Sequence, residues 1–304
     1  MKRLPWGHAA RLAGHIAAEA IVGGRPPVLG TIILTDACNL TCAHCAVNNI
    51  TGVMYGYHEI VGEMHAMFRE GVRILFFCGG ETTLWRDGER TLDDLVRAAW
   101  EAGFYVVNVV TNGTLTLDLP DVSIAMLSLD GLGECHDRIR GEGVFDRVMA
   151  NLERADGTNV CVYTAVNNTN LGEIEGLCRM VSEHPNLRSI SFNLHTPYPG
   201  TEHLALSRVE KERAVDTILR MKRAGYPVFN LDRSLVAYLD GAWKRPCRQC
   251  IVSEGGVRWV CGRCIDVPGL CEQCGYLFAI EFQLLFEADP SAIWDAMRTY
   301  TRYL

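Results

Sequence analysis

Thr35-Asp-Ala-Cys-Asn-Leu-Thr-Cys-Ala-His-Cys45 is the stretch on which the chain turns. It follows an apolar run, Val28 to Leu34, that reads as a buried strand, so Cys38, Cys42 and Cys45 fall on the loop leaving its carboxyl end. Open α/β folds and barrels place their chemistry at that edge. Three close thiolates can hold an iron–sulfur cluster, and such clusters usually take four protein ligands. One iron would then be left for another molecule. A zinc knuckle, or thiols scattered through a core, are the competing readings of the same three residues.

From Val28 to about Leu194 short apolar runs alternate with amphipathic helical patterns. Strands are predicted at 28–34, Arg73–Phe77, Tyr105–Val110, Ser123–Leu129, Val160–Val166 and Arg188–Leu194. Helices are predicted at His58–Arg69, Leu92–Ala102, Val144–Arg154 and Leu171–Ser182, and again from Ser207 to Arg223. Six strands in series, most followed by a helix, predict an α/β fold with a parallel sheet. Periodicity alone allows a doubly wound sheet as well as a partial barrel. The second strand ends in Gly79-Gly80-Glu81, where glycines let backbone approach a ligand and a carboxylate suits an ammonium group. The third ends in Thr111-Asn112-Gly113 and the fourth in Ser128-Leu-Asp-Gly131, both also good turn formers.

Taken in order, these motifs resemble the radical S-adenosylmethionine (SAM) superfamily, whose signature is Cys-x3-Cys-x2-Cys after the first strand. The resemblance implies a partial (β/α)6 TIM-like barrel. It implies a [4Fe-4S] cluster on Cys38, Cys42 and Cys45, with the amino and carboxylate groups of SAM on the fourth iron. Gly79, Gly80 and Glu81 match the family's site for the SAM amino group, and Thr111 and Ser128 fall where hydroxyls face the cofactor. Arg140 is a further candidate, within reach of the SAM carboxylate or capping the next helix. Two positions depart from the family pattern: His44 stands where an aromatic residue is usual, and Thr82 where proline is common. The implied reaction is reductive cleavage of SAM to a 5′-deoxyadenosyl radical that takes hydrogen from an unactivated carbon. No catalytic side chain is assigned. His195, Tyr198, Glu202 and His203, on the proline-stiffened loop after the sixth strand, are candidate substrate contacts or proton-transfer groups.

Beyond Lys244 six cysteines, Cys247, Cys250, Cys261, Cys264, Cys271 and Cys274, pair as three Cys-x2-Cys units, a strong metal-site signal. Gly255 to Cys261 reads as a hairpin and resembles the start of the SPASM or twitch extension of radical SAM proteins. That resemblance implies at least one auxiliary [4Fe-4S] cluster. A four-thiolate zinc site on Cys261, Cys264, Cys271 and Cys274 is the alternative. The chain divides on this reading into an amphipathic helix at 1–27, a core at 28–244, and a cysteine-rich extension with a terminal helix at 245–304. Cys161 and Cys178 are expected in the core; Cys78 and Cys135 lie nearer the mouth.

Composition sets the outer limits. A chain of 304 residues, 48% apolar and 21% charged, is an ordinary globular protein with room for a large core. Its formal charge of −7 argues against nucleic acid as a partner. No apolar run is long enough to span a bilayer, and the first 25 residues lack a secretory signal. Nine of the thirteen cysteines then read as metal ligands in a reducing cytoplasm. About 27 residues precede the first strand, which leaves no room for a leader-binding or cobalamin-binding domain. The expected partners are an organic substrate (peptide, small metabolite or lipid) and a reductase such as flavodoxin or ferredoxin. A non-catalytic metal-binding module with a structural zinc tail is the rival class.

Overall fold

The computed structural model describes Gly14 and residues 27–45, 50–155 and 157–303; the amphipathic helix expected at 1–27 lies outside them. Six strands run parallel: β1 (Leu29–Ile33), β2 (Ile74–Cys78), β5 (Val106–Thr111), β6 (Ile124–Ser128), β7 (Val160–Val166) and β8 (Leu187–Leu194). These are the six predicted strands, each within two residues of its expected ends. A two-residue hairpin, β3 (Arg86–Asp87) and β4 (Arg90–Thr91), stands apart as a sheet of its own.

The sheet is larger than the sequence suggests. Two strands from the cysteine-rich extension, β9 (Cys250–Glu254) and β10 (Val257–Val260), complete it in the order β10-β9-β1-β2-β5-β6-β7-β8. β9 pairs parallel with β1, Leu29 opposite Cys250 and Ile33 opposite Glu254. The β9–β10 turn is Gly255-Gly256, both at positive φ (55° and 77°), as a two-residue hairpin requires.

Both faces of the sheet are covered, which is why its strands read as continuous apolar runs. On the outside, Leu75, Phe77, Val107 and Val109 pack against α1 (Tyr57–Arg69) and α2 (Leu92–Ala102). The inside is filled by α8 (Leu277–Phe286), whose sequence LFAIEFQLLF is apolar on nearly every side, as an engulfed helix must be. Its Phe278 meets Phe76 of β2 and Tyr163 of β7 at ring distances of 6.1 and 6.0 Å. The remaining helices, α3 (Glu134–Arg140), α4 (Val144–Leu152), α5 (Ile174–Glu183), α6 (Arg208–Arg223), α7 (Asp232–Asp240) and α9 (Pro290–Tyr303), complete the shell. α6 starts at a capping box, Ser207 with Glu210, the two residues satisfying each other's backbone N–H groups. No helix among the described residues is long and apolar enough to cross a membrane.

Candidate functional site

The carboxyl ends of the parallel strands open into one cavity of about 220 Å³. Cys38, Cys42 and Cys45 line it, with Gly79 and Gly80 from the end of β2, Thr111 and Asn112 from β5, and Ser128 from β6. The sequence named all of these but Asn112 as candidates. Arg140, His195 and Tyr198 line the cavity too, but Glu202 and His203 are not among its walls. Glu202 instead accepts the Gly200 N–H at 2.8 Å in an exposed turn. Cys161 and Cys178 are core residues, their thiols pushed up to about 12 by burial. Cys78 and Cys135 do not line the cavity.

The two glycines are forced by the cysteine loop. The backbone of Thr35–Ala37 crosses directly over the end of β2, accepting the Gly80 N–H at 2.7 Å and the Glu81 N–H at 2.9 Å. A Cβ on Gly79 would lie 2.3 Å from the Thr35 carbonyl oxygen, and one on Gly80 would lie 2.1 Å from that of Ala37. Any side chain here would lift the cysteine loop off the sheet.

Glu81 takes a position the motif does not reveal. It is fully buried and outside the cavity wall. Its Oε1 accepts Thr83 N–H at 3.0 Å, Thr83 Oγ1 at 2.6 Å and Thr111 Oγ1 at 2.6 Å; its Oε2 accepts the Asn112 N–H at 2.7 Å. The carboxylate therefore ties the end of β2 to the end of β5. Asn112, so fixed, donates through Nδ2 to Asn39 Oδ1 at 2.9 Å and to Cys38 Sγ at 3.8 Å.

A second buried carboxylate, Asp130, organises the far wall and was missed as a site residue because Asp-Gly reads as a turn. Its Oδ2 accepts Arg140 Nε at 2.6 Å and lies 3.6 Å from His44 Nε2; its Oδ1 accepts the Ala165 N–H at 2.9 Å. Burial alone would raise this carboxyl, but Arg140, His44 and the Ala165 N–H hold it below the usual range. The same guanidinium donates through Nη1 to Cys42 Sγ at 3.9 Å. Burial pushes the Cys42 thiol up to about 11. His44, buried beside these groups, is pulled down to about 4 by its desolvation and is neutral near pH 7; its Nδ1 has no partner among the described residues.

The cysteine-rich extension reaches the same cavity through Tyr276. Cys274-Gly275-Tyr276 docks on the end of β8: Leu194 N–H donates to Gly275 O at 3.0 Å, Gly275 N–H to Thr196 Oγ1 at 2.9 Å, and Leu277 N–H to Asn193 Oδ1 at 2.9 Å. The approach is so close that a Cβ on Gly275 would fall 1.8 Å from the Leu194 carbonyl oxygen. Cys247 Sγ and Cys250 Sγ lie 3.6 Å apart, and the neighbouring Cys274 pulls the Cys264 thiol down to about 7.

Both donor sets suit iron–sulfur chemistry: soft sulfurs, largely buried, with N–H groups aimed at Cys38 and Cys42. Among the described residues no three ligand side chains converge as a single metal ion would require.

Residues 32–181 match the Radical SAM superfamily. The sporulation killing factor maturation protein SkfB of Bacillus subtilis is 30% identical over 164 residues, 49% of this chain and 38% of that protein. The 7,8-dihydro-6-hydroxymethylpterin dimethyltransferase of Methanocaldococcus jannaschii is 28% identical over 184 residues, 54% of this chain and 36% of that one. The chain therefore spans well under half the length of these two relatives. Among solved structures, Streptococcus suis SuiB bound to S-adenosylmethionine superposes with a TM-score of 0.65 at 14% identity, covering 94% of this chain and 70% of SuiB. SuiB bound to the precursor peptide SuiA gives 0.63 at 16% identity.

Proposed function

This chain carries a radical SAM domain and is an enzyme of that superfamily, and from that premise we propose that it modifies a peptide or protein side chain by hydrogen abstraction. The observation that carries the reading is the shared cavity: Cys38, Cys42 and Cys45 face Gly79, Gly80, Thr111 and Ser128 across one space. Cys38, Cys42 and Cys45 would hold a [4Fe-4S] cluster, which would supply the electron for reductive cleavage of SAM. Gly79 and Gly80 present backbone where no side chain can intrude. Thr111 and Ser128 offer hydroxyls to the cofactor, and Glu81 acts behind them by fixing Thr111 and Asn112. Arg140 and Asn112 direct N–H groups at Cys42 and Cys38, which stabilises thiolate charge.

The six C-terminal thiols form, on this reading, the site of an auxiliary iron–sulfur cluster. Tyr276, two residues beyond Cys274, lines the cavity, which supports it over a remote structural zinc that has no need to border the reaction. The peptide class is supported by what SkfB and SuiB are named for. The pterin methyltransferase keeps a small metabolite as the second reading. The electron donor would be a flavodoxin or ferredoxin.

The test is metal and sulfide analysis of protein reconstituted without oxygen, then dithionite and SAM with detection of 5′-deoxyadenosine. About eight irons with 5′-deoxyadenosine formed supports both clusters. About four irons with one zinc returns the tail to a structural role. Iron without SAM cleavage would leave the chain a metal-binding module.

A further inference from the structure

The cavity wall beyond β8 carries an imidazole whose proton is fixed by its surroundings. His195 follows the last residue of β8, lines the cavity and is 5% exposed. Its Nε2 lies 3.2 Å from Thr201 O and 3.1 Å from Thr201 Oγ1. A carbonyl oxygen can only accept. The Thr201 hydroxyl donates its single hydrogen to Tyr198 O at 2.9 Å, so toward His195 it too can only accept. Nε2 therefore carries the ring proton, and Nδ1 is left with its lone pair. No group among the described residues hydrogen-bonds that Nδ1, and it is not sealed in protein as Nδ1 of His44 is.

The ring is held in place from several sides. Its backbone N–H donates to Val166 O of β7 at 2.7 Å, and Thr201 N–H donates to Tyr198 O at 2.9 Å, closing the loop behind it. The His44 ring stands edge-on, the two centroids 6.5 Å apart. Burial lowers the His195 pKa from its ordinary 6.5, opposed by the Thr201 carbonyl and Asp130 and helped by His203, so the lone pair is free at neutral pH. Arg140 already brings a positive charge to this cavity, so a neutral donor suits the imidazole better than an ammonium group. The candidate cofactor residues Gly79, Thr111 and Ser128 stand on β2, β5 and β6, two to four strands away across the sheet.

We propose that His195 is a specificity-determining residue: its Nδ1 accepts a hydrogen bond from a backbone amide N–H of the substrate and so fixes a peptide against the β8 wall. The proposal rests on the peptide reading above and deepens it, because it names the atom that recognises the main chain. A substrate without that N–H leaves the acceptor unpaired and is rejected.

The experiment uses the full chain, reconstituted without oxygen and saturated with SAM in the absence of reductant. The probe is labelled acetyl-trialanine amide, with analogues in which one backbone amide N–H at a time is replaced by an ester oxygen. Equilibrium dialysis compares the wild type with His195→Gln, whose amide nitrogen can still reach Thr201. One ester analogue should bind the wild type about tenfold more weakly than the parent peptide, the loss of one hydrogen bond. His195→Gln should bind that analogue and the parent alike, because the pair is already broken. Diethyl pyrocarbonate, mapped by mass spectrometry, should label His195 in the SAM-bound protein, and the peptide should block it. The labelling needs no variant and decides the case if His195→Gln does not fold. Ester and variant penalties that simply add overturn the proposal and leave the peptide reading standing, since they mark a residue that shapes the wall without touching the amide. Shielding of His195 by SAM alone also overturns it and gives the ring to the cofactor. A peptide that does not bind at all overturns it together with its premise.

Discussion

Replacing Glu281 by glutamine should make the protein more stable above neutral pH. Glu281 lies in the middle of α8 and is 1% exposed. Its Oε1 accepts the Leu231 N–H at 3.1 Å and Ser234 Oγ at 3.2 Å, and Tyr300 Oη lies 3.5 Å from its Oε2. Burial pushes its pKa from the ordinary 4.5 up to about 7, against the opposing pull of the Leu231 N–H and of Lys222. Between those two values the folded chain keeps a proton that the unfolded chain has released. Stability conferred by the protonated group is therefore complete below 4.5, falls as pH rises, and levels off above about 7. At about 1.4 kcal/mol per pH unit the whole window is worth about 3 kcal/mol.

Glutamine keeps the carbonyl acceptor for Leu231 and Ser234, offers an N–H toward Tyr300, and never ionises. Urea denaturation of the reduced metal-free chain, followed through its six tryptophans at pH 5, 6, 7 and 8, measures the difference. The two proteins should match at pH 5, and the variant should gain by up to about 3 kcal/mol at pH 8. A constant difference across that range, or a variant less stable at pH 8, would refute the assignment of a proton to Glu281.

Three further outcomes follow from the site. Gly275→Ala places a Cβ 1.8 Å from the Leu194 carbonyl, so the C-terminal thiols should undock; analysis should find the C-terminal metal lost and the first cluster kept. Glu81→Gln puts an amide N–H against the Asn112 N–H and removes a charged acceptor, a loss of about 2 kcal/mol. It should weaken SAM binding by equilibrium dialysis and loosen the first cluster with it, because Asn112 reaches both Glu81 and Cys38. Arg140→Met leaves the buried Asp130 carboxylate without its cation; removing one partner of a buried pair costs about 3–5 kcal/mol, read as a lower urea midpoint.

The six strands were legible because both faces of this sheet are covered. Ile74–Cys78 is apolar throughout and Val160–Val166 nearly so, and parallel strands leave that mark. The first cysteine triad and Gly79-Gly80 were legible because each sits at a strand end, where short spacing is enough to bring residues together. What spacing could not show is the partner of a buried polar group. Glu81 looks in sequence like a free carboxylate beside two glycines; four donors reveal it as a brace. Asp130 hides in an Asp-Gly pair, and its ten-residue reach to Arg140 depends on how α3 folds back over the strand end.

The extension shows the same limit at longer range. Three Cys-x2-Cys units announce a metal site but not where it docks, and 221 residues separate Leu29 from the Cys250 it pairs with. β9 adds to the free edge of β1, while Cys274-Gly275-Tyr276 closes on the end of β8, the opposite edge of the sheet. The extension therefore grips both margins of an open sheet, and α8 that follows fills its interior. An open barrel so clasped carries Tyr276 of the extension to the mouth by the fold itself. The docking of Gly275 and Tyr276 at the cavity is thus built into the sheet itself.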